Sequence, residues 1–125
     1  MSRIRKEIKS GMKHLWMSTE GVLLARFSFP SSFIGFQGHF PGKPILPGVC
    51  LVQAMLNSYE AYHGIPIRLV ELKKAKLIAP VLPGEDIIME CQEMSKQGRE
   101  IIIRASCKKG DEKLAMLEAM IQIVA

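Results

Sequence analysis

The residues best suited to chemistry lie close together, in Phe36-Gln37-Gly38-His39-Phe40-Pro41-Gly42-Lys43-Pro44-Ile45-Leu46-Pro47-Gly48-Val49. Three prolines fix φ along this stretch, and three glycines allow conformations closed to other residues. Such a loop is stiff in some places and tightly bent in others. It can hold His39 at one spot and let a ligand approach the backbone closely. An imidazole titrates near neutral pH and can accept a proton there. A histidine met alone is more often structural than chemical, so its surroundings decide. Pro47-Gly48 leads into a helix whose first amides have no intrahelical partners. A carbonyl oxygen placed against them would be polarised, as in an oxyanion hole.

The elements that must position this loop can be read from periodicity. Val52, Met55, Leu56, Tyr59 and Tyr62 follow a three/four spacing, which predicts a helix over Val49–His63. Apolar residues cover most of its girth, so it should be deeply buried. Gly64 and Pro66 punctuate its end. Gln53, Asn57 and Glu60 form a polar line along it at i, i+4 and i+7. Glu60 lies about 10 Å along the axis from Gln53 and is expected to reach solvent.

Strands are expected over Thr19–Phe29, Arg68–Ala79, Asp86–Ser95, Arg99–Lys108 and Lys113–Val124, with turns at Pro83-Gly84, Gln97-Gly98 and Gly110-Asp111. In the first, Leu23, Ala25, Phe27 and Phe29 share one side. The result is an α+β domain, an antiparallel sheet wrapped around one long helix.

Composition narrows the function classes. A chain of 125 residues suits one domain. No apolar run approaches the roughly 20 residues that span a bilayer, and a cytoplasmic protein is the expectation. Cys50, Cys91 and Cys107 are scattered and odd in number, which argues for reduced packing residues over disulfides or zinc. The three histidines lack metal-site spacing, so no metal is expected.

Of the net charge of +5, +4 falls in residues 1–13, where Arg3, Arg5, Lys6, Lys9 and Lys13 face only Glu7. Ile4, Ile8 and Met12 recur every fourth residue there, so residues 1–17 read as a helical basic segment with one packed stripe, preceding a domain over 18–125. With 6% aromatics and no binding motif, nucleic acid is not expected as a partner.

The run Gly38-His39-Phe40-Pro41-Gly42-x-Pro44-Ile45-Leu46-Pro47-Gly48-Val49 resembles the signature loop of the hot-dog-fold 3-hydroxyacyl-acyl-carrier-protein dehydratases. Lys74-x-Lys76 and Pro80-Val81-x-Pro83-Gly84-Glu85 agree in order and spacing, and the likeness covers about residues 18–125. It implies a homodimer, or a higher even oligomer, with two sites at the subunit interface. Each site would take a histidine from one chain and an acidic residue from the other's central helix. The substrate would be an acyl thioester carried on the phosphopantetheine of acyl carrier protein or coenzyme A, with no further cofactor. By position His39 matches the family histidine, and Gly48 the residue whose N–H polarises the thioester carbonyl. Phe40, Pro41, Gly42, Pro47, Val49, Met55 and Asn57 are the expected substrate contacts.

The sequence departs from the pattern at one position. The family's catalytic glutamate or aspartate falls five residues after Gly48, where this chain has Gln53. Glutamine has nearly the same shape and can position a water or a hydroxyl, but it carries no proton near neutral pH. Three readings follow: a dehydratase-type lyase with His39 as base, a non-catalytic partner that holds acyl carrier protein, and a thioesterase on the same fold. Lys43, Arg68, Lys73, Lys74 and Lys76 are candidate docking groups for an acidic carrier.

Overall fold

A computed structural model of the chain describes residues 3–36 and 45–124. In chain order its elements are helix α1 (Arg3–Gly11), strands β1 (Met12–Met17) and β2 (Leu23–Phe27), a 3-10 turn (Ile34–Phe36), helix α2 (Gly48–His63), and strands β3 (Ile67–Leu77), β4 (Ile87–Gln97), β5 (Glu100–Lys109) and β6 (Glu112–Ile123). The strands make one six-stranded sheet in the order β1-β2-β4-β5-β6-β3, with every pairing antiparallel.

Cross-strand register explains why one face is apolar. Leu23, Ala25 and Phe27 of β2 oppose Cys91, Met89 and Ile87 of β4. Cys91 and Met89 in turn oppose Ala105 and Cys107 of β5, and Ile101 and Ile103 oppose Ile121 and Ala119 of β6. Side chains two apart share a face, so these residues all join Ala54, Met55 and Tyr59 of α2 in a single core. One long helix packed on an antiparallel sheet is the hot-dog arrangement. Cys50, Cys91 and Cys107 are free thiols buried in that core, and burial pushes them up to about 11, about 12 and about 12 respectively.

The turns follow their glycines: Gly84, Gly98 and Gly110 all have positive φ, between 59° and 78°. The strand expected from Thr19 begins only at Leu23. Before it, Gly21 (φ 81°) closes a turn whose N–H groups from Gly21 and Val22 reach the Ser18 carbonyl and hydroxyl. The larger correction concerns residues 12–17. Expected as part of a helical N-terminal segment, they form β1, an edge strand of the sheet. The Ile4–Ile8–Met12 spacing simply runs on past the helix end at Gly11. There the chain passes so near Phe29 that a Cβ on Gly11 would lie 2.4 Å from the ring.

Both ends of the Pro/Gly loop are anchored. Phe27, Phe29, Phe33 and Phe36 form a row of ring contacts, with centroids 4.7 to 5.8 Å apart, leading up to its start. At its far end the Leu46 N–H donates to the Val81 carbonyl at 2.9 Å.

Candidate active site

His39, Phe40, Pro41 and Gly42, together with the docking candidate Lys43, lie outside the described residues. The half of the site carried by α2 is described. Pro47, in an extended conformation (φ −64°, ψ 149°), precedes the helix and offers no side-chain cap. Its carbonyl accepts the Cys50 N–H at 3.0 Å. The amides of Gly48 and Val49 are the ones a helix start leaves open. Gly48 also sits close to β3, since a Cβ there would meet Leu77 Cδ1 at 3.1 Å. Val49 beside it is 67% exposed, unusual for a valine at the tip of a largely buried helix.

One and a half turns on, Gln53 is partly exposed and its Nε2 donates to Asn57 Oδ1 at 2.7 Å. Asn57 is 8% exposed and donates its own Nδ2 to the Arg5 backbone carbonyl at 3.4 Å. The polar line on α2 is thus a bonded chain that ends on α1. Asn57 and Glu60 face a cavity of about 320 Å3 that Arg5, Lys9, Met12 and Ala61 complete.

Two expectations need correcting. Met55, expected to touch substrate, has no exposed surface and belongs to the core. Two helical residues turn the chain by about 200°, so Met55 points to the sheet when Gln53 points away from it. Glu60, expected to reach solvent, instead accepts the Ile67 N–H at 2.9 Å and pairs with Arg5 Nη2 at 3.3 Å. It ties the end of α2 to the start of β3 and to α1.

The contribution of Arg5 was not foreseen. A backbone carbonyl carries no residue type, so no sequence signal marked it. His63 lies against Tyr59 and Tyr62, with centroids at 4.2 and 5.2 Å. His14 lies against Trp16. Among the described residues, no three His, Cys, Asp or Glu side chains converge as a metal site, and no helix is long and apolar enough to cross a membrane.

Of the basic candidates on β3, Arg68 donates to Gln122 Oε1 at 2.8 Å and Lys73 stands 3.8 Å from Glu71. Lys74 and Lys76 line a shallow cavity of about 190 Å3 with Arg104 and Glu118. Strand β3 is the last strand on its side of the sheet and leaves Leu69, Val70, Leu72 and Leu77 exposed.

Residues 16–116 match the family model described as ApeI-like, ApeI dehydratase. The chain is 32% identical over 96 residues to the 3-hydroxyacyl-(acyl-carrier-protein) dehydratase FabZ of Clostridium acetobutylicum, an alignment spanning 71% of this chain and 68% of that one. It is 29% identical over 98 residues to the FabZ of Syntrophobacter fumaroxidans, spanning 72% and 67%. In fold it is similar to the dehydratase heterocomplex ApeI:P from Xenorhabdus doucetiae, with a TM-score of 0.71 at 15% identity, covering 89% of this chain and 96% of that one. A helix start with open amides, a polar line on the same helix and a match across 16–116 lead to one assignment: the chain belongs to the ApeI-like family of hot-dog-fold dehydratases.

Proposed function

We propose that this protein acts on 3-hydroxyacyl thioesters, carried by acyl carrier protein or coenzyme A, at two sites formed between the subunits of a homodimer. The observation that carries the reading is the placement of Gly48 and Gln53 on α2. Five helical residues separate them by about 7.5 Å along the axis and about 140° around it. One helix therefore does not aim both at the same atoms, and a second copy would have to supply one of them. The exposed apolar edge of β3 supports such a pairing, since an uncovered strand is a template for another chain.

In this reading the Gly48 N–H binds the thioester oxygen and lowers the barrier to loss of the C2 proton. His39 accepts that proton, the C3–O bond breaks, and the electron pair of the C2–H bond becomes the C2=C3 double bond. The departing hydroxide needs a proton to leave as water. Gln53 has none to give, so the imidazolium formed at His39 returns the one it took. Protons balance without a second titrating group. Phe40, Pro41, Gly42, Pro47 and Val49 would shape the acyl entrance. The basic strand β3 would meet an acidic carrier, and the cytoplasm is the compartment that suits buried free thiols.

The test follows 3-hydroxybutyryl-pantetheine through the absorbance of the enoyl thioester. Turnover by the wild type that His39→Ala abolishes supports the reading. Release of free thiol instead would assign a thioesterase.

A non-catalytic role is favoured by one specific observation. The helix position that carries an acid in the family holds Gln53, whose amide is already engaged by Asn57. The ApeI:P dehydratase is itself a heterocomplex. Binding of acyl carrier protein without turnover, with a heteromer formed on co-expression with an active relative, would establish that role.

A further inference from the structure

We propose that Asn57 is a positioning residue that turns Gln53 into a hydrogen-bond acceptor toward bound ligand, making the site selective for acyl thioesters with a hydroxyl at C3. The inference rests on the acyl-thioester reading above and deepens it.

A glutamine amide is nearly symmetric in shape but opposite in character at its two ends, one accepting and the other donating. Which end faces a ligand is normally free to change by a flip of the amide. Here the choice is fixed from outside. The Arg5 backbone carbonyl can only accept, so the Asn57 atom that meets it at 3.4 Å is Nδ2. Asn57 then presents Oδ1 on its other side. That oxygen can only accept as well, so the Gln53 atom 2.7 Å from it is Nε2.

Gln53 is left with Oε1 for the ligand, and among the described residues nothing donates to that oxygen. Reversing Gln53 would bring two oxygens together. Reversing both amides would set Asn57 Oδ1 against the Arg5 carbonyl. Asn57 is almost fully buried, with little water to relieve either clash.

An acceptor held at this point pairs with a 3-hydroxyl and opposes the ketone oxygen of a 3-oxoacyl group. Toward a saturated chain it is indifferent. The amide thus recognises the hydroxyl by its hydrogen. The lock reaches the site from α1, the segment where the family resemblance gives out.

The experiment measures binding by calorimetry of three pantetheine analogues in which a CH2 replaces the thioester sulfur: 3-hydroxybutyryl, 3-oxobutyryl and butyryl. With the wild type, the hydroxyl analogue should bind about three- to tenfold tighter than butyryl, the range of one net hydrogen bond, and the 3-oxo analogue weaker than butyryl. In Asn57→Ala the three should fall within about twofold of one another. In Asn57→Asp, which still accepts from Gln53 and meets the Arg5 carbonyl with its own carboxyl proton, the order should return at a pH low enough to keep that proton.

A readout without ligand accompanies these. The side-chain amide protons of Gln53 should exchange slowly in the wild type and in Asn57→Asp, and fast in Asn57→Ala. If the wild type binds the 3-oxo analogue as tightly as the hydroxyl, or if Asn57→Ala keeps both the order and the slow exchange, the proposal is overturned. If no analogue binds, the acyl-thioester reading itself fails, while the Gln53 exchange rate still decides whether the lock exists. The wild-type ranking stands even if Asn57→Ala does not fold.

Discussion

Gln53→Glu gives α2 the acid that the family resemblance leads one to expect there, and its effect can be worked from the contact Gln53 makes now. A positioned general acid or base is worth about 10²–10⁴-fold in rate. The new carboxyl, however, arrives 2.7 Å from Asn57 Oδ1, an acceptor. Either it stays protonated and ties up on Asn57 the proton that catalysis needs, or Asn57 turns and sets its oxygen against the Arg5 carbonyl. The second leaves a buried acceptor unpartnered, at about 1–3 kcal/mol, and the first is taken only while it costs no more than that. With each 1.36 kcal/mol equal to tenfold, this removes a factor of about 5–150. From the middle of both ranges, Gln53→Glu alone should raise the rate of 3-hydroxybutyryl-pantetheine dehydration about thirtyfold. Gln53→Glu with Asn57→Ala lacks the opposing oxygen and should recover that factor, about thirtyfold more.

The same contact sets a pH signature. Facing Oδ1, the carboxyl is favoured in its neutral form, so its pKa in the fold lies above its unfolded value near 4.3. A group with a raised folded pKa gives its full stabilisation below the unfolded value and loses it as pH rises through the folded one. The Tm of Gln53→Glu relative to wild type should therefore fall from pH 4 to pH 8, and that fall should vanish in the double variant. Rates are read from the enoyl absorbance and Tm from calorimetry. A double variant no faster than the single one, with both folded, would refute the reasoning.

Three further outcomes follow from packing. Gly11→Ala places a methyl within 2.4 Å of Phe29, whose ring is buried between Phe27 and Phe33 and has nowhere to move. It should cost about 1–3 kcal/mol in denaturant unfolding, and no loss would show that α1 can shift. Cys50, Cys91 and Cys107 are buried and held at about 11 to 12, so at pH 8 a thiol reagent should label the native protein far more slowly than the unfolded one. Rapid labelling of all three would contradict their packing. Val70→Lys puts a charge among the exposed apolar residues of β3 and should shift the proposed dimer toward monomer in sedimentation, whereas an unchanged mass would rule out a subunit contact through β3.

Much of the fold was legible because its strands bury one face. Leu23, Ala25 and Phe27 alternate with residues that are less buried, and the glycines of the β4–β5–β6 turns mark their ends. β1 was not legible, because Met12 fits a helical stripe equally well and the partner that draws the chain into the sheet, β2, lies beyond the next turn. On α2, periodicity placed the helix and set Met55 on its apolar face, while the family resemblance singled out Gly48 and Gln53; making Met55 a substrate contact failed because family position says nothing about which side of a helix a residue takes. Glu60 looked solvent-bound because its partners, the Ile67 amide and Arg5, come from across a turn and from the far end of the sequence.

The position of β3 in the sheet also bears on how the chain is made. β4, β5 and β6 pair through tight turns, with Gln97 opposite Glu100 and Lys109 opposite Glu112. β3 must instead wait for β6, joining Leu77 to Ala115 and Ile67 to Ile123, a distant closure that is entropically slower to find. During synthesis β3 leaves the ribosome first and stays without its neighbour until the last strand emerges. Glu71, Lys73, Lys74 and Lys76, set among its leucines and valine, give the waiting strand the charge that discourages stray pairing. The three lysines that could greet an acidic carrier in the finished protein would thus also guard the nascent one.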